Sequence, residues 1–141
     1  MSNLESFYAK WSPVVLSILR LVVGFLFIAH GTQKLFNVPA FEIPGQPSPF
    51  PVPLASLAGV AGILEFVGGI FIFLGLFTRP VAFILSGEMA VAYFKGHAPG
   101  GFWPMMNQGE PAVLLCFIFL YMAVAGGGSL SVDRLLRRGR S

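Results

Sequence analysis

The chain has 141 residues, of which 55% are hydrophobic and 11% charged, with 15 phenylalanines and a formal net charge of +3. Soluble domains carry roughly a quarter charged residues, so a water-soluble core of this size has no means of hiding so much apolar surface. Neither a soluble enzyme nor a nucleic-acid partner is expected. The length fits a single membrane domain, 1–141, with no separate soluble module. A lone cysteine, Cys116, excludes an intrachain disulfide and a cysteine-cluster metal site, so no metal is predicted and the thiol reads as inert and buried.

A helix needs about 20 apolar residues to cross a bilayer, and four segments approach that length: about 13–36, 54–77, 79–95 and 111–126. Their apolarity is continuous and lacks the period-two alternation of a membrane barrel, so the expected fold class is an all-α four-helix transmembrane bundle. The stretch before Pro13 is polar, carries a single Lys10 and no small-residue cleavage site follows it, which reads as a retained first span. Between the first two spans, Pro39, Pro44, Pro47, Pro49, Pro51 and Pro53 forbid regular helix and predict a stiff, extended loop. Only Thr78, Arg79 and Pro80 separate the second span from the third, which predicts a tight helical hairpin. After the third span, Pro99, Gly100, Gly101, Phe102, Trp103 and Pro104 form a rigid aromatic loop, and Asn107 with Glu110 fits a capping pair for the fourth helix.

Basic residues in short flanks set orientation. With both termini cytoplasmic, the inside holds Lys10, Arg79, Arg134, Arg137, Arg138 and Arg140, and the outside only Lys34 and Lys95. The tail from Ser131 reads as an amphipathic piece, with Leu135 and Leu136 toward lipid and its arginines toward anionic headgroups. Its simplest role is to anchor the topology.

Arg20, Glu65 and Glu88 lie inside the apolar spans. An ionisable group there costs about 2.5–3.5 kcal/mol on insertion scales and marks a functional site by default. At 1.5 Å per helical residue, Arg20 lies roughly 10 Å above the inner end, Glu88 roughly 12 Å and Glu65 roughly 18 Å. Arg20 and Glu88 are therefore expected to form a structural ion pair, which leaves Glu65 as the candidate catalytic carboxylate. His30 and His97 share a depth of roughly 25 Å, near Lys34, Lys95 and Glu110. Steps of three and four place Arg20, Gly24, Phe27, Gly31 and Lys34 on one face of the first helix, and Gly59, Gly62 and Gly69 on one face of the second.

The strings LRLVVGFLFIAHGTQKLF at 19–36, LEFVGGIFIFLGLFTRP at 64–80 and GGGSLSVDRLL at 126–136, with Ala92, Tyr93, Phe94, His97 and the GFWP segment between them, resemble the DoxX family. The resemblance covers all four spans in order. It implies a small inner-membrane protein associated with quinone-linked oxidation or redox-stress complexes, and places Arg20, Gly31, Lys34, Glu65, Gly68, Gly69, Gly75, Arg79, His97 and Asp133 at recurrent family positions. The chain carries no soluble redox module, so the electron donor is expected to be a separate redox subunit.

Quinone is the expected cofactor, because a Phe-rich bundle supplies a flat apolar slot and His30, Lys34, His97 and Trp103 supply polar groups for its carbonyls. Haem is not expected, since the only two histidines lie near the outer surface. Membrane lipid surrounds the bundle, and a homo-oligomer is an open alternative. Two other functions use the same residues: a small-solute or ion transporter, and a non-catalytic membrane anchor or assembly factor.

Overall fold

Helix α1 (Asn3–Phe36) begins at a capping box in which the Ser2 hydroxyl accepts from the Glu5 amide and the Glu5 carboxylate accepts from the Ser2 amide. It ends at Asn37, whose left-handed φ of 54° turns its N–H back onto the Gln33 carbonyl. The computed structural model describes residues 2–139, so Arg140 lies outside the described residues. The span expected from Pro13 is the C-terminal part of a longer helix: α1 has 34 residues and runs through Pro13. A proline removes only its own N–H, and the Pro13 carbonyl stays in use, accepting from the Ser17 hydroxyl at 2.8 Å and the Ser129 amide at 3.0 Å.

The remaining helices are α2 (Leu57–Leu74), α3 (Thr78–Ala92), α4 (Glu110–Ala125) and α5 (Val132–Arg138), and no strand occurs among the described residues. A π-helical turn, Tyr93–His97, and a short 3-10 turn, Ala98–Gly100, extend α3. Helices α1 and α2 are long and apolar enough to cross a membrane, whereas α4 is apolar but has 16 residues. The helices fall into two compact units, one formed by the chain up to Phe77 together with the part from Gly127 onward, the other by Thr78–Gly126.

In the first unit α1 and α2 pack through glycine. A methyl group added at Gly31 would sit 2.4 Å from the Phe66 amide nitrogen, at Gly24 2.6 Å from that of Phe73, and at Gly69 2.8 Å from that of Ile28. Helix α1 thus offers two glycines seven residues apart to the α2 backbone, α2 returns Gly69 to the α1 backbone and Gly62 to the Lys34 and Leu35 side chains, and the contacts follow one constant antiparallel register. Of the face read from the sequence, Arg20, Gly24, Phe27 and Gly31 are buried and Lys34 is half-buried; Ser17 and Val23 are buried as well. The proline-rich connection folds back on this pair through the Val52 amide, which donates to the Lys34 carbonyl at 2.9 Å, and Phe41 and Phe50 stack edge-on within it.

In the second unit α3 and α4 pack together. Arg79 donates to the Val124 carbonyl at one end, Ser86 to the Cys116 carbonyl at 2.8 Å in the middle, and Gly109 lies against the Tyr93 ring at the other, again an antiparallel register. Cys116 is half-buried.

Replacing Gly31 by Val should separate the α1 and α2 backbones and cost about 1–3 kcal/mol or more, as overpacking does. Gly87→Ala, where an added methyl meets nothing within 4 Å, should leave stability unchanged or raise it slightly. Thermal unfolding in detergent followed by size-exclusion chromatography distinguishes the two; equal midpoints would reject the glycine contact as a determinant of packing.

Candidate functional site

Arg20 is 1% exposed, and its guanidinium is held by main-chain oxygens within the first unit. Nε donates to Gly127 O at 2.9 Å, Nη2 to Leu130 O at 2.6 Å, and Nη1 to Ile72 O at 2.6 Å and also to Phe73 O. Ile72 and Phe73 belong to the last turn of α2, where carbonyls lack intrahelical donors and the helix dipole is negative. Gly75, with φ 69°, closes that turn, and a methyl group there would come within 3.0 Å of Arg20 Cζ and 2.6 Å of Ser131 Cβ. The glycine is required both for its backbone conformation and for room beside the guanidinium.

The α1–α2 register changes where Arg20 stands. With Gly24 facing Phe73, Arg20 comes level with the end of α2, instead of well inside the span as a count from Pro13 implied. The count took its zero from two residues that are not helix ends: α1 starts ten residues before Pro13, and α2 ends at Leu74 rather than Phe77. Glu88, the counter-charge expected for Arg20, is half-buried on α3 in the second unit.

Glu65 is 4% exposed at the middle of α2. Lys34 Nζ donates to Glu65 Oε1 at 2.6 Å. The sequence had separated an inner set holding Glu65 from an outer set holding Lys34, and the structure joins them. Lys34 lies in the last turn of α1, and its Cβ passes Gly62, where an added methyl would come within 3.1 Å of it. The second oxygen, Glu65 Oε2, is buried and has no hydrogen-bond partner among the described residues. A buried carboxylate oxygen without a donor costs about 1–3 kcal/mol or more, so this atom is a place for a proton or for a ligand's donor group.

The other expected site residues are dispersed. His30 is exposed on α1. In the second unit His97 closes the π turn, with Nδ1 3.1 Å from the Asn107 carbonyl, and Trp103 is 68% exposed in the loop that follows. Asn107 does not cap α4 as expected: its Oδ1 accepts from the Gly109 amide and its Nδ2 donates to the Gly101 carbonyl, so it braces the loop, and Gly109 is the cap residue. Tyr93 adds a further brace through its hydroxyl, which donates to the Phe102 carbonyl. Sequence reasoning missed both the carbonyl cage around Arg20 and the π turn. The glycines at 75 and 126–128, clustered beside helix ends, were the available signal for the cage.

Arg20→Ala should destabilise the first unit by about 3–5 kcal/mol, since it orphans several buried carbonyls at roughly 1–3 kcal/mol each. Arg20→Lys should rescue only part of this, because an ammonium lacks the planar fork. Denaturation in mild detergent measures both, and full rescue by Lys would show that charge alone is needed.

The DoxX family model matches residues 15–98 of the chain. An uncharacterized protein of Haemophilus influenzae is 43% identical over 136 residues, covering 94% of this chain and 96% of its own. The inner membrane protein YphA of Escherichia coli is 31% identical, covering 95% and 99%. A Bacillus subtilis relative named "Putative oxidoreductase CatD" is 28% identical, covering 87% of each. No solved structure matches.

Proposed function

Because the chain belongs to the DoxX family, we propose that this membrane protein is the integral membrane subunit of a quinone-linked oxidoreductase or redox-stress complex, its four apolar segments crossing the inner membrane with both termini cytoplasmic. The observation that carries the proposal is the buried Lys34–Glu65 pair with its unoccupied carboxylate oxygen. Reduction of a quinone to a quinol takes two electrons and two protons. The electrons would come from a separate redox subunit, the Lys34–Glu65 pair would pass one proton to one quinone oxygen, and the other oxygen would take its proton from water. A quinol hydroxyl donates to Glu65 Oε2, while a quinone carbonyl, which needs a donor, accepts from Lys34 Nζ or from protonated Glu65. The oxidoreductase name of the Bacillus subtilis relative supports the reaction class.

The same oxygen suits a carried proton or small cation, which is the transporter reading. One set of measurements separates them. On the quinone reading, purified protein carries extractable quinone, added quinone raises its thermal midpoint, and Glu65→Gln weakens that response about tenfold or more, as loss of a charge-assisted hydrogen bond does. Solute or proton uptake into liposomes that depends on Glu65, without a quinone effect, would select transport. The absence of both would leave the chain as an anchor or assembly factor and overturn the proposal.

A further inference from the structure

The first unit holds a recess of about 380 Å³ lined by Gly128, Arg134, Arg137 and Arg138, on the side of the fold away from the Lys34 end of α1. Its wall is built from parts already fixed by other interactions. Gly128 sits between the carbonyls of Gly127 and Leu130, both of which accept from Arg20, and its backbone presses so closely on α1 that an added methyl would lie 2.4 Å from Ser17 Oγ. Opposite it, α5 is fixed at its start by Ser131, whose hydroxyl accepts from the Arg134 amide at 3.3 Å, and by the Asp133 amide, which donates to the Gly75 carbonyl at 2.9 Å. The nearest carboxylate in sequence, Asp133, accepts from the Phe77 amide at 2.8 Å. The arginines are thus presented from a braced helix and not from a loose tail.

We propose that this recess binds the phosphate of an anionic phospholipid. Arg134 offers its guanidinium and Arg137, whose Nε donates to the Asp133 carbonyl at 3.2 Å, offers its two Nη groups, planar donors that match phosphate oxygens. A soluble phosphate compound shares that chemistry, but the segment favours a lipid: Leu130, Leu135 and Leu136, in the same stretch of chain as the arginines, are 64%, 67% and 54% exposed and offer apolar surface to acyl chains. The recess also lies at the C-terminal end of α2, a helix long and apolar enough to cross the membrane, which is where a headgroup would be met. The assignment depends on membrane residence alone and stands apart from the quinone reading.

The test uses the full chain in detergent, with phosphatidylglycerol and phosphatidylcholine titrated separately and binding read by native mass spectrometry. Wild type should prefer phosphatidylglycerol. R134Q combined with R137Q should weaken that binding roughly thirtyfold, at about 1 kcal/mol per basic residue near the surface, with the melting midpoint of the lipid-free protein unchanged. Lys10→Gln, which removes an exposed charge outside the recess, should leave it unaltered. Equal affinity for the two lipids, or an equal loss in the Lys10 variant, would overturn the site in favour of diffuse charge attraction. Competition by millimolar inorganic phosphate at the same strength as phosphatidylglycerol would overturn the lipid assignment and make the recess a soluble-phosphate site.

Discussion

A guanidinium cannot be taken out of water without donors being used, and the fold of the first unit is arranged around that requirement. Arg20 has five N–H groups, and four carbonyls from the end of α2 and the segment after α4 gather on it. The exchange is reciprocal: carbonyls at a helix terminus and in a buried turn need donors as much as the arginine needs acceptors. A neutral side chain would leave them unsatisfied. A carboxylate partner would neutralise the charge and still leave the end of α2 unpaired. The arginine therefore does the work of a helix cap, supplied from another helix.

The glycine contact between α1 and α2 has a second effect besides close packing. Bringing two backbones together leaves little lateral space for side chains, and the few long ones that remain run along the seam. Lys34 does so past Gly62 and meets Glu65. The tight seam both positions the pair and limits access of water to it, so that one carboxylate oxygen is satisfied and the other stays open. Packing and site chemistry share one cause.

Much of this was legible in the chain. The helical segments, the interior face of α1 and the glycine face of α2 followed from apolar runs and from steps of three, four and seven. What could not be read was register, because depth counted along one helix from a presumed boundary carries the error of that boundary. Pro13 looked like a start and is an interior residue; Phe77 looked like an end and lies beyond one. Those boundaries counted Lys34 too far from Glu65, to which it is bonded. Asn107 illustrates another limit: its spacing to Glu110 is that of a capping box, yet Oδ1, the atom a cap would use, accepts from the Gly109 amide while Nδ2 serves the loop at Gly101. Local spacing states which bonds are available, and tertiary structure chooses among them.

The unequal lengths of α1 and α2 impose a mechanical condition. At 1.5 Å per residue α1 measures about 51 Å and α2 about 27 Å, and their register leaves some twenty residues of α1 projecting past the last turn of its partner, roughly 30 Å. A bilayer core matched to the shorter rod is too thin for the longer one. The surplus carries Phe7, Tyr8 and Trp11, all exposed, and the Phe7 ring leans edge-on against Tyr8. The ten residues before Pro13, roughly 15 Å of helix, extend the rod beyond its apolar segment. The difference in helix length thus sets how far the aromatic end reaches from the α1–α2 seam.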